Sequence, residues 1–328
     1  MSLPEVLKDR LSLPLIAAPM FLASGPELVV ECCKAGVVGT FPALNPRTTE
    51  QLDQWLNDID KQLAQFEQET GQKPAPYGVN LIVHKSNPRL LDDLAIIEKH
   101  QVKLIITSLS CNAEVIDRIH AYGGIVFHDV VNVRFAKKAA SMNVDGLVAV
   151  CGGAGGHAGH WNPLTLIGEL REFFDKTILL AGCVSRGSDI AAAQMMGADL
   201  AYAGTRFLAT KECRVTDDYK DMIVRATAAD IVYTPAISGV PASFMRESVA
   251  DAGYDPDDLT PAAEIDFGAE MVGDEKTGKK KAWKDIWSAG QGVGGIHDVP
   301  TTAELISRLK AEYQQAHAAQ AEKFKAFS

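Results

Sequence analysis

Residues 151–160, CGGAGGHAGH, place five glycines and two histidines directly after the apolar run DGLVAV. Glycines at 152, 153, 155 and 156 keep such a loop low and lined by backbone, a surface suited to packing beside a flat ring system. They bring His157 forward. An imidazole with a pKa near neutrality takes a proton from carbon or polarises an oxygen anion, so His157 is the candidate catalytic residue, ahead of His160. Cys151, His157 and His160 also form a conceivable metal set. They lack the helical His spacing or paired cysteines of common zinc sites, and no metal is expected. No GxSxG occurs, and no Ser or Cys stands beside an evident base, which moves covalent hydrolysis down the order.

Other small or polar residues follow apolar runs in the same way: Pro19 and Met20, Asn80, His128 and Asp129, Gly182, and Gly204 with Thr205. The segments LLAGCVSRGSDI and AYAGTRFLA each end in a small-residue turn, where backbone N–H groups can approach a ligand closely. Tight turns alone would account for these glycines equally well.

The elements that must position these residues alternate. LPLIAAPM, GVVGTFPA, YGVNLIV, VKLIITSL, GIVFHDVV, DGLVAVC, TILLAGC and ADLAYAGTRFLA make eight candidate strands by residue 209. Segments with three- and four-residue apolar periodicity lie between them. Several strands are apolar along their whole length, as in a parallel sheet covered on both faces. The pattern predicts a (β/α)8 TIM barrel, an α/β fold whose site forms at the carboxyl ends of the strands and whose phosphate sites lie after strands seven and eight. A doubly wound sheet would usually carry GxGxxG after its first strand, where this chain reads MFLASGPE. After residue 210 the alternation stops. Residues 1–210 and 288–328 are assigned to the barrel, and 211–287 to a smaller, mainly helical inserted domain or lid. A final helix over about 301–325, opened by the capping pair Thr301/Thr302, supplies the eighth barrel helix.

At 328 residues the chain fits one barrel plus an appendage, with 47% hydrophobic and 23% charged residues. Its net charge of −10 is spread out, and the only dense basic run, KTGKKKAWK, adjoins acidic GDE, so nucleic acid is excluded as a partner. The first 20 residues carry Glu5, Lys8, Asp9 and Arg10, and no long uncharged apolar stretch occurs; a cytoplasmic protein without a membrane span is expected. The six cysteines show no CxxC spacing and read as reduced, mostly buried thiols. Oligomeric state is unreadable.

At these same places the sequence resembles the nitronate monooxygenase family, formerly 2-nitropropane dioxygenases. PLIAAPM, GVNL, GGHAG, LLAGCVSRG, GADLAYAGTRFLAT and IWSAGQGVG match in the family's order over nearly the whole chain. The resemblance implies FMN across the barrel mouth, its ring near Pro19, Met20 and Asn80, with Ala18, His128, Asp129 and Gly156 also among the cofactor-binding residues. Gly182, Cys183, Gly204 and Thr205 would hold its phosphate, with help from Ser288, Gly290 and Gln291, and His157 matches the family's catalytic histidine. In that chemistry an alkyl nitronate gives an electron to the flavin and O2 reacts next, leaving a carbonyl compound and nitrite; the histidine is the base for a neutral nitroalkane. Two positions depart from the family. Cys183 stands where many relatives have the second glycine of a pair, and FHDVVN puts Asp129 where some have lysine, a charge that disfavours an anionic reduced flavin. Two further readings accompany this one: an NAD(P)H-dependent reductase of quinones or enoyl-acyl carrier protein, and a non-catalytic flavin-binding protein.

Overall fold

The computed structural model describes residues 3–259 and 283–327. Half of DAGYDPDDLTPAAEIDFG, the acidic stretch at 251–268 in the segment after residue 210, and all but Trp283 and Lys284 of the basic run at 276–284 lie outside the described residues. Eight parallel strands close into a barrel: β1 (Leu15–Ala17), β2 (Val38–Pro42), β3 (Gly78–Ile82), β4 (Leu104–Ser108), β5 (Ile125–Val130), β6 (Gly146–Val150), β8 (Thr177–Ala181) and β9 (Leu200–Ala203). Each falls within one of the eight apolar runs. The last strand pairs back onto the first, with Ile16 opposite Tyr202 and Ala17 opposite Ala203. Helices α1 (Pro26–Lys34) to α7 (Gly187–Met195) cover the outside.

Strand alternation divides the core in two. Ile16, Val38, Leu104, Ile106, Phe127, Val148, Leu179 and Leu200 fill the barrel interior. The alternate positions, such as Val79, Leu81, Ile105 and Val126, pack outward against the helices. Continuously apolar strands are thereby explained, because both faces are buried.

The C-terminal helix Thr302–Lys325 packs on α7 and α1 and closes the helical ring. Thr301 caps it: its Oγ1 accepts from Glu304 N, while the Glu304 carboxylate accepts from Thr301 N at 2.8 Å. Glu212 accepts from both Thr302 N and Thr302 Oγ1, fastening the helix to the segment that leaves the barrel.

Beyond β9, the chain carries α9 (Asp217–Arg225), α10 (Arg246–Asp251) and two strands that helical periodicity does not mark, β10 (Ile231–Thr234) and β11 (Ala242–Met245). These pair antiparallel, and β11 takes a third strand, β7 (Gly156–His157), from the glycine loop itself. Phe244, Val249 and Ile286 form a small separate core beneath this sheet. Among the described residues no helix is long and apolar enough to cross a membrane.

Candidate active site

A cavity of about 840 Å³ opens at the carboxyl ends of the barrel strands. Its described wall includes Ala18, Pro19, Met20, Asn80, His128, Asp129, Gly156, His157, Gly182, Cys183, Gly204, Thr205, Ser288 and Gly290. Thus residues from seven separate stretches of sequence meet at one mouth. Gln291 is not among the residues of the described wall; it is exposed, and its backbone N donates to Gly153 O at 2.9 Å.

His157 sits in β7 opposite Ala242, held there by the sheet of the excursion. Gly156 N donates to Ser288 Oγ at 2.7 Å, and Ser288 Oγ donates to Ser243 O at 2.6 Å. The Tyr233 hydroxyl donates to Ala158 O at 2.9 Å. The imidazole meets Trp283 edge-on, with ring centroids 5.0 Å apart. Burial removes the water that would solvate an imidazolium and pushes the His157 pKa down to about 4. His157 is therefore neutral at pH 7.

The glycines of this loop serve a backbone contact as much as a ligand. A Cβ on Gly290 would lie 2.5 Å from Gly153 O and 2.7 Å from Gly155 N, and one on Gly155 would lie 2.9 Å from Gly290 N. Only glycine on both sides lets the 288–292 segment lie on the loop. Gly290 N also donates to Thr205 Oγ1 at 2.9 Å, so this segment clasps the sixth-strand loop to the turn after β9.

The turn after β8 is left-handed at two successive residues, Gly182 with φ +133° and Cys183 with φ +58°. The backbone N–H groups of Cys183, Gly204 and Thr205 find no acceptor among the described residues. They are available to an anion at the mouth.

The floor is the uppermost inward layer of the barrel. Asn80 Nδ2 donates to Ser108 Oγ at 2.7 Å, and Ser108 Oγ donates to Asp129 Oδ2 at 2.5 Å. Burial raises the Asp129 pKa to about 6 despite the Ser108 hydrogen bond. Tyr202 joins from β9, its phenol pushed up by burial and then by the Asp129 charge. His128 turns to the other strand face, hydrogen bonded through Nδ1 to Thr107 Oγ1 at 2.7 Å, and burial holds it down to about 4. Ser108, Tyr202 and Trp283 line the cavity and were missed by sequence reasoning, as was the Ser243 carbonyl that holds Ser288. For Ser108 and Tyr202 a signal existed: each stands two residues beyond an inward core position, Ile106 and Leu200.

Cys151 is buried with its Sγ donating to Ala149 O at 3.4 Å, whereas His160 is exposed beside Trp161. The three residues weighed as a metal set thus turn to different neighbours. Among the described residues no group of three His, Cys, Asp or Glu is placed to hold a metal ion.

The family model described as nitronate monooxygenase matches residues 41–312. A nitronate monooxygenase of Paraburkholderia phytofirmans is 26% identical over 348 residues, covering 92% of this chain and 93% of that one. A (3aS,4S,5R,7aS)-5-hydroxy-7a-methyl-1-oxo-octahydro-1H-indene-4-carboxyl-CoA dehydrogenase of Rhodococcus jostii is 27% identical over 239 residues, covering 73% of this chain. The chain spans 64% of that relative's length and 60% of a relative from Mycobacterium tuberculosis. A solved nitroalkane oxidase from Streptomyces ansochromogenes superposes with a TM-score of 0.79 at 24% identity, covering 96% of this chain and 100% of that one. At that identity the likeness speaks for the barrel fold.

Proposed function

The chain belongs to the nitronate monooxygenase family, and from that premise we propose that it is an FMN-dependent enzyme that oxidises alkyl nitronates with O2 to a carbonyl compound and nitrite. The family makes it a flavin-dependent oxidoreductase with a small-molecule substrate.

The residues present fit FMN. The cavity lies in the size range of cofactor sites, and two turns offer unpaired N–H groups. Gly204 keeps that turn free of a side chain; a Cβ there would only meet Ala18 and Met20 at ordinary contact distance, 3.6–3.7 Å. In this reading Gly182, Cys183, Gly204 and Thr205 hold the phosphate, and the ring lies by Ala18, Pro19, Met20, Asn80, Asp129 and Gly156, with His128 at its edge. Ser288, Gly290 and Gln291 contribute by clasping the loop. When bound, FMN supplies the acceptor for the substrate's electrons and their donor to O2.

The observation that carries the reading is the setting of His157. It stands at the cavity wall on a strand held by β11 and by the Ser288 and Tyr233 hydroxyls, neutral at physiological pH, and so can take a proton from the carbon next to a nitro group. The same burial makes its imidazolium short-lived, which favours passing the proton on. His157→Ala is expected to lower kcat/KM for a neutral nitroalkane by about 10²–10⁴-fold, the span of general base catalysis, with a smaller loss on a preformed nitronate and with FMN retained. The wild-type rate requires the neutral ring, so it should be flat from pH 6 to 8 and fall as pH drops through about 4. Full nitroalkane activity in the variant sinks the role.

The substrate class is tested by the visible spectrum of the holoenzyme as propionate 3-nitronate is added without O2. Bleaching of the flavin absorption is expected. A second reading is an NAD(P)H-dependent reductase of quinones or enoyl-acyl carrier protein; the Rhodococcus relative, by name a carboxyl-CoA dehydrogenase, supports redox chemistry on a thioester-linked acyl group. Bleaching by NADH and not by nitronate selects it, and no turnover with either donor leaves a binding protein.

A further inference from the structure

Three neighbouring strands end in one hydrogen-bonded line at the cavity floor. Asn80 Nδ2 donates to Ile106 O at 3.0 Å and to Ser108 Oγ, which donates to Asp129 Oδ2. The line stops at Asp129. Its second oxygen, Oδ1, is buried and accepts nothing from the described residues. Asp129 is also the only carboxylate of the described cavity wall, in a chain whose acids outnumber its bases, 42 to 32. A buried polar atom without a partner is rare and marks a place where a partner is expected.

We propose that Asp129 is a proton-exchanging hydrogen-bond partner of the ring system bound over this floor, so that binding is coupled to proton uptake at Oδ1. The inference rests on the flavin reading. Oδ2 is occupied by the Ser108 hydroxyl, so the acid form carries its proton on Oδ1 and can donate to an acceptor atom of the bound ring. A ring lying over the floor displaces the cavity solvent nearest Asp129, which disfavours the ionised form further; the proton that neutralises it comes from bulk water.

The groups facing Asp129 do not obscure this exchange. Tyr202, across the barrel, stays protonated because burial and the Asp129 charge push its phenol up. His128 and His157, both held down to about 4, remain neutral above pH 5.5. Lys138 lines the same cavity from α5 (Val133–Ser141) and brings a positive charge. Asp129, raised to about 6 before binding, titrates in the accessible window. Because its pKa is higher in the complex than in the free protein, affinity is greatest below about pH 6. It falls as pH rises toward the bound value, by up to about tenfold per pH unit.

The test titrates FMN into the deflavinated protein by fluorescence quenching at pH 5.5 to 8.5, beside Asp129→Asn. FMN's phosphate titrates near pH 6 in both proteins, so the difference between them is read, and riboflavin, lacking the phosphate, repeats the series. Between pH 6 and 8 the wild-type Kd should rise about tenfold more than that of Asp129→Asn. Heats measured in buffers of different ionisation enthalpy should show proton uptake that the variant lacks. Identical pH dependence and proton counts overturn the proposal. Ser108→Ala, which removes the hydrogen bond favouring the carboxylate, keeps the test open if Asp129→Asn does not fold: it should move the onset of weakening to higher pH, and an unmoved onset is equally fatal. A wild-type protein that binds neither flavin would instead sink the flavin reading, and this inference with it.

Discussion

Two layers of the barrel interior sit one step apart on the same strands and do opposite work. The lower layer holds Ile106, Phe127 and Leu200, all fully buried and apolar. Two residues further on, about 6.6 Å along each strand and on the same face, come Ser108, Asp129 and Tyr202. The lower positions are surrounded by one another and contribute hydrophobic stability. The upper positions have neighbours on three sides and the cavity on the fourth, so polar atoms there can serve whatever enters. Stability and chemistry are thus separated by height in the barrel rather than by strand, which is why one strand carries both Phe127 and Asp129.

The contrast predicts opposite signs for neighbouring substitutions. Phe127→Ala, in the lower layer, should destabilise by about 3–5 kcal/mol through lost burial and the cavity left behind, read as a lowered urea midpoint. Asp129→Asn should stabilise. The Asp129 pKa is raised on folding, from 3.8 to about 6, so the folded state is penalised for ionisation. The penalty is absent below pH 3.8, grows as pH rises to 6 and is constant above, reaching at most about 3 kcal/mol. The variant should therefore gain up to that amount at pH 8 and nothing at pH 3.5. An equal midpoint difference at both pH values would break the division between the layers.

How far the two halves could be read from sequence follows the same division. The lower half and the outer core were legible because continuous apolar runs mark strands buried on both faces. At the upper layer, Asn80 and Asp129 stand out as polar residues in apolar runs. Ser108 does not, because a serine at the end of a run reads as the start of a turn, and Tyr202 passes as one more apolar strand residue. The brace on His157 left no periodic signal at all: β7 is two residues long and β11 four, and their pairing joins positions 157 and 242. The 288–292 glycines read as a phosphate loop. Their packing against Gly153 and Gly155 depends on two glycine segments meeting backbone to backbone, which no single stretch of sequence announces.

Backbone strain follows the same division and supplies the smallest predicted effect. Of the seven non-glycine residues with left-handed φ among the described residues, Leu22, Leu109, Cys183 and Trp283 line the cavity. Such conformations persist where the surrounding structure enforces them, and they gather at functional ends of folds. Cys183 is the most telling, because it follows Gly182 in a turn that asks for glycine twice, at φ +133° and +58°. Its Cβ costs about 1–2 kcal/mol in the left-handed region. Cys183→Gly removes that strain but frees the unfolded chain by about 0.5–1 kcal/mol, so a net gain of up to about 1 kcal/mol is expected, seen as a small rise in Tm. A fall in Tm would mean that the thiol's contact with the glycine loop, Sγ to Gly153 O at 3.8 Å, outweighs the backbone strain. The turn would then be built around its sulfur, and the upper half of the barrel would owe part of its stability to a side chain that lines the site.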